Sequence, residues 1–333
     1  MLYNQNSGYG RALFDAIHSI IPTPGNIFFV ANSDDYDEKN YQKMQELFKP
    51  DAEGTQRFFT SLSSAYDATE SNNNDVIILD GNSTHTLTAE LNVSNNRVHF
   101  IGLDWLLGIR RKQGQSAKVN IGVTTDTGDV SAIMNTGVRN SFRGIKFTNN
   151  NTLTQSLYCF ADGGEYTYIE DCEIVYNAKL TTATVADLLA NGDSSTYIGC
   201  SFGTTGNEIT ANGARPNVLI SRETVSGKVA RDVRFINCDF LYKCGDTDNR
   251  FVYGSGTTDV ERLMVFDGCL FFNSLLAAQT MTLGMAMGNQ TEGAVILKAC
   301  AAYKTTDFAT ATGIFQASGA AQAANGCEVI QSA

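Results

Sequence analysis

The chain has little proline, little histidine and little charge for its length. Its 333 residues hold four prolines, three histidines and one tryptophan, and 18% are charged. So few prolines leave the turns to 30 glycines and to Asn and Asp. Low charge beside 43% hydrophobic residues excludes intrinsic disorder and supplies a sizeable core. No run approaches the roughly 18 apolar residues of a membrane span, so no membrane partner is expected. Bases are outnumbered, with 24 Lys and Arg against 35 Asp and Glu and a net charge of −11. That balance excludes a general nucleic-acid binder, because phosphate contacts need clustered bases. The one dense basic run is Arg110-Arg111-Lys112. Eight cysteines form no Cys-x-x-Cys pair, and His18, His85 and His99 do not stand at ligand spacing from them, so no zinc is expected. The N-terminal stretch shows neither a basic leader nor a long apolar run. The expected site of synthesis is therefore a cytoplasm, where cysteines remain thiols.

Helical periodicity is confined to the first 70 residues. Leu13, Phe14, Ile17 and Ile21 form one stripe over 9–21, stopped by Pro22 and Pro24. Segment 26–30 reads as a short strand, and 37–48 and 60–68 as further helices. Residues 1–70 are thus expected to form an N-terminal α/β cap or anchor. From Asp75 onward short strands alternate with turn residues.

Those strands repeat. Leu103, Ile145, Cys172, Cys200, Cys238, Cys269 and Cys300 align as one column, at spacings of 42, 27, 28, 38, 31 and 31 residues. Three residues before each stand Phe100, Phe142, Ile169, Tyr197, Phe235, Phe266 and Leu297. Two residues after stand Trp105, Phe147, Ile174, Phe202, Phe240, Phe271 and Ala302. Immediately before the column come Gly102, Gly144, Asp171, Gly199, Asn237, Gly268 and Ala299. All but the last are residue types that tolerate a left-handed backbone. Two strands meeting at a bend every 27 to 31 residues describe one turn of a solenoid, with like positions stacked about 4.8 Å apart. The expected fold is all-β, a right-handed parallel β-helix over 71–333, with Ala/Thr/Gly-rich last turns. The longer gaps, 106–139 and 203–232, read as projecting loops or extra strands. The column cysteines read as small interior hydrophobes. Cys159, Cys244 and Cys327 fall outside it, and their role stays open.

No catalytic, cofactor or metal set emerges. Glycoside cleavage generally needs two carboxylates about 5 to 9.5 Å apart. The column just after the anchor (Asp104, Lys146, Glu173, Ser201, Asp239, Leu270, Ala301) and the one two before it (Ile101, Arg143, Glu170, Ile198, Ile236, Asp267, Lys298) hold no acidic pair on neighbouring turns. Asp246, Asp248 and Asn249 lack the further ligands of an EF-hand. Gly8-x-Gly10 and Gly254-x-Gly256 are incomplete dinucleotide fingerprints. The outward positions turn apolar late in the repeat, at Leu270, Phe272 and Ala301, which suggests a subunit interface. Arg110, Arg111 and Lys112 are the candidate contact with an acidic partner surface.

Residues 56–103, with FFTSLSSAYDA, DVIIL, THTLTAELNV and RVHFIGL in order, resemble the opening of a pectin-lyase-like β-helix. Gly8-Tyr9-Gly10, Ala12-Leu13-Phe14, Phe28-Phe29-Val30, Asp51-Ala52-Glu53-Gly54, Arg57-Phe58-Phe59 and Asp75-Val76-Ile77 follow the order seen in β-helical capsid decoration (cement) proteins of tailed bacteriophages. The resemblance covers about the first 105 residues. It implies a non-enzymatic virion structural protein, a homotrimer on the outer surface of a phage head, with itself and the major capsid protein as partners and the virion exterior as its place. A tail-associated β-helix protein, either a tailspike depolymerase or a host-glycan adhesin, is the alternative, because the fold alone does not decide function.

Overall fold

The structure is a computed structural model. It describes residues 8–32, 38–50, 54–81, 83–108, 117–121, 130–150, 156–176, 184–206, 215–222, 228–244, 247–254, 256, 258–274, 281–287, 291–309, 314–316 and 329–332. Every strand pairing among them is parallel, in three sheets of 11, 9 and 8 strands, here sheets A, B and C. The chain passes A to B to C and back to A, one level further along the stack. One turn is Tyr168–Glu170 in A, Glu173–Tyr176 in B and Ala186–Ala190 in C, in register with Ser141–Arg143, Lys146–Asn149 and Ser156–Asp162 of the turn before. The expected parallel β-helix is the fold observed.

The N-terminal segment closes the first turn. Helices α1 (Gly8–Ile20), α2 (Glu38–Leu47) and α3 (Leu62–Asp67) flank two strands, Ile27–Val30 and Phe58–Phe59, that extend sheet A. Leu13 and Ile17 of α1 and Met44 of α2 bury against the sheet in a second core, with Phe29 stacked on Phe48 at 5.0 Å. Helices α1 and α2 thereby cover the outer face of sheet A at its first strands, while Leu62, Ala65 and Tyr66 of α3 join the interior core at the end of the stack.

Inside the stack, like residues meet like residues. Phe100 lies 4.8 Å from Phe142, and Tyr197, Phe235 and Phe266 follow one another at 4.7 Å with rings within 8° of parallel. Phe202, Phe240 and Phe271 form a second ladder along sheet B. In-register parallel pairing forces these contacts, because each turn presents the same inward position. The A-to-B bends carry φ of +62° at Gly144, +50° at Asp171, +62° at Gly199, +52° at Asn237 and +66° at Gly268. Gly144 has a further reason to be glycine: a Cβ there would stand 2.1 Å from that of Trp105. Ala299 takes the same conformation at +50° without a glycine's freedom.

Turn two departs from the repeat read in the sequence. Gly102 has φ −68°, ordinary extended backbone, and leads into a short helix α4 (Leu103–Leu106) in place of a sheet B strand. Leu103 packs in the second core among the cap residues, and Trp105 turns outward to donate its indole N–H to Asp171 at 2.8 Å. The interior place beside Ile145 belongs to Ala117, whose carbonyl accepts from Lys146 N–H, and Val119 pairs with Phe147. Spacing alone hid this, because the insertion after Gly102 begins with residues of the same apolar pattern. The gaps 106–139 and 203–232 likewise hold regular strands of the stack: Lys118–Ile121, Val130–Asn135, Pro216–Leu219 and the start of Ala230–Ile236.

Candidate functional site

Two surfaces stand out on the solenoid. The first is the outward face of sheet B in its later turns. Leu270 pairs with Ala301, and Phe272 with Leu241 on one side and Tyr303 on the other. Leu270 is 37% exposed, Phe272 and Ala301 are half-buried, and the rings of Phe272 and Tyr303 stack at 5.3 Å. The Leu270 column is polar in earlier turns, where Lys146 reaches Glu173 at 2.6 Å, whereas the Phe272 column already holds Val175 and Leu241. Arg110, Arg111 and Lys112 lie outside the described residues, as does Cys327.

The column thiols all point inward. Cys172, Cys200, Cys238, Cys269 and Cys300 are buried and unbridged, each donating to the carbonyl two residues earlier and to one on the preceding turn, as Cys238 does to Ile236 and Tyr197 at 3.5 Å. Burial pushes the Cys172 and Cys238 thiols well above the ordinary range, which leaves them unreactive. Cys159 and Cys244 are also buried, and Asn249 donates to Cys244 Sγ at 2.7 Å.

The second surface is a cleft of about 390 Å³ on the outer face of sheet A. Its floor is one stacked column, His99, Ser141 and Tyr168, contributed by three successive turns. The end of α1 and residues 21–23 form one wall, and Asn74, Arg139 and Tyr166 the other. Arg143 Nη1 donates to Ser141 Oγ at 2.7 Å, and Arg143 Nε to Glu170 at 3.3 Å. His99 Nδ1 lies 2.8 Å from the same Ser141 oxygen. The Ser141 hydroxyl thus ties the imidazole to the Arg143 guanidinium. Burial first, and the Arg143 charge second, hold the His99 pKa down at about 4, so the ring is neutral near pH 7. The Arg143 guanidinium covers the Tyr168 ring at 4.7 Å, and burial followed by the Glu170 charge raises the Tyr168 phenol. The cleft as a whole offers donors and aromatic faces to a ligand.

The sequence columns chosen for inspection missed these residues. His99, Ser141 and Tyr168 stand four places before Leu103, Ile145 and Cys172 in the repeat, and Arg97, Arg139 and Tyr166 six places before. Reading those two offsets would have aligned them. These six residues include no carboxylate, which is what the search for a glycosidase pair sought.

No protein-family model and no curated protein sequence matches the chain. Solved structures do. The pectate lyase Pel9A superposes with a TM-score of 0.51 at 14% identity over 84% of this chain, which spans 64% of that lyase's length. The pectin methylesterase from Aspergillus niger superposes at 0.52 with 13% identity, over 93% of this chain and 86% of that one. The Dettilon tailspike protein aligns at 0.44 and 13% identity, over 73% of this chain and 46% of its own. The chain therefore has the pectate-lyase-like β-helix fold. The expectation of a non-enzymatic chain is corrected here: the pectate lyase and the pectin methylesterase that share its fold are enzymes. Failing to find an acidic pair in two columns was no ground for excluding catalysis, since a solenoid site can be assembled from any stacked column.

Proposed function

We propose that this chain is a β-helical virion protein of a tailed bacteriophage, a homotrimer that decorates the outside of the capsid and bridges major capsid protein subunits. The observation that carries the reading is the outward apolar run Leu241, Phe272 and Tyr303, with Leu270 exposed in the column beside it. A contiguous outward apolar column marks a surface kept from water by a second chain. Three copies joined through it would display three solenoids on one axis, and multivalent attachment would then make weak single contacts with a shell additive. The order of motifs in the first 105 residues supports the capsid as the location, and assembly would take place in the host cytoplasm.

The test has two parts. Light scattering should give a particle of three times the 36.0 kDa chain mass. Leu270→Lys with Phe272→Lys should reduce it to the single-chain mass while circular dichroism stays unchanged. Purified heads lacking the chain should then take up the wild type to a fixed stoichiometry and the double variant far less. An unchanged mass in the variant, or heads that take up none of the wild type, sinks the reading.

A further inference from the structure

The later turns carry a second outward apolar face, on sheet A. There Thr196, Arg234, Val265 and Ile296 stack as one outward column, and Leu263 pairs with Ala294 beside it. Arg234 is exposed, Leu263 is 41% exposed, and Val265, Ala294 and Ile296 are half-buried. Sheet B carries Asp239, Leu270 and Ala301 in one outward column and Leu241, Phe272 and Tyr303 in the next. Leu263 and Leu270, two of the large exposed apolar side chains, stand on the same turn. The two faces adjoin at a corner, since only Gly268 and Cys269 separate the sheet A strand from the sheet B strand.

Charge follows the same levels. In earlier turns Arg143 meets Glu170 and Lys146 meets Glu173 within the chain. Arg234 has no ion pair among the described residues, and its column neighbours, Thr196 and Val265, have no charge to offer it. Asp239 stands on the same turn on the sheet B face, half-buried, and within one chain the two form no ion pair.

Symmetry sets what three copies require. A single self-complementary patch joins two copies and closes, whereas a ring of three needs two different patches on every copy, each fitting the other. An axis along the stack keeps each turn level with the same turn of its neighbour. Val265 and Phe272 are each the second outward residue from the Gly268 bend, as Ile296 and Tyr303 are from Ala299. Such a rotation sets apolar residues against apolar ones and brings the Arg234 side chain of one copy within reach of Asp239 of the next.

We propose that the copies pack heterologously, the sheet A face of each (Arg234, Leu263, Val265, Ile296) against the sheet B face of the next (Asp239, Leu270, Phe272, Tyr303). The packing rests on the three-copy assembly proposed above and names the surface that meets sheet B.

A wild-type mass other than three chains removes that assembly and this packing together. With the trimer present, the remaining outcomes bear on the packing alone. Val265→Lys with Ile296→Lys, which leaves sheet B untouched, should lower the mass to one chain with an unchanged circular dichroism spectrum. Arg234→Asp and Asp239→Arg should each weaken the trimer at least tenfold in a dilution series, and the two together should restore most of it. Val265→Cys with Phe272→Cys should give disulfide-linked dimers and trimers under a mild oxidant, beyond the wild-type background, and neither cysteine alone should do so. A folded lysine variant that stays trimeric, a doubly reversed variant no tighter than the single ones, no linked species from the cysteine pair, or linked species from Phe272→Cys alone overturns the packing.

Discussion

Acidification should destabilise this fold through His99 in particular. In the folded chain His99 is held at a pKa of about 4, by burial and then by Arg143, against an ordinary 6.5. The folded state thus keeps the ring neutral, whereas the unfolded chain takes up a proton below pH 6.5. The stability this group contributes is complete above pH 6.5 and is lost as pH falls toward 4. Between pH 7 and pH 5 the two protonation curves diverge by about 2 kcal/mol. Urea unfolding of the wild type at pH 7, 6 and 5 should show that loss together with the contribution of other groups. His99→Asn, whose amide can still meet the Ser141 hydroxyl, should show about 2 kcal/mol less of it. Only three histidines are present, so imidazole proton resonances can be followed individually. A folded-state His99 midpoint near 6.5, or equal pH dependence in wild type and variant, refutes the argument.

Phe235 stacks between Tyr197 and Phe266 at 4.7 Å on either side, so Phe235→Ala should cost about 3–5 kcal/mol in a denaturant titration. Ala299→Gly should stabilise by about 0.5–1 kcal/mol, since it relieves a left-handed alanine at some loss of chain entropy; a lower melting temperature would contradict the bend assignment. A thiol reagent at pH 8 should label at most Cys327 in the folded protein and all eight cysteines after unfolding, because the seven described thiols are buried. Rapid labelling of a second thiol would show that the column is open to water.

Much of the solenoid was legible because a stacked fold writes its contacts as a period. Phe142, Tyr197 and Phe235 touch like residues on other turns, so the same residue type recurs at the spacing of the turn. Corners held open by glycine, asparagine or aspartate were visible for the same reason. The second left-handed column, at the C-to-A corner, was not, since arginine, tyrosine and serine carry no signal of positive φ. Nor was the exchange of Leu103 for Ala117, where an inserted helix imitates the start of a strand.

The cleft was the least visible part. His99, Ser141 and Arg143 are separated by 42 and 2 residues in the chain, and nothing local marks them as a set. They meet only because parallel in-register pairing lays turn three directly on turn two, and because α1 folds back to wall them in. The sequence by itself determined the period, most of the inward columns and the acidic character of the chain, since each depends on residue type and spacing. Which outward residues face one another, and which of them meet in the cleft beside α1, were decided by the register between turns and the docking of the cap. Those are long-range geometric facts that no local pattern encodes.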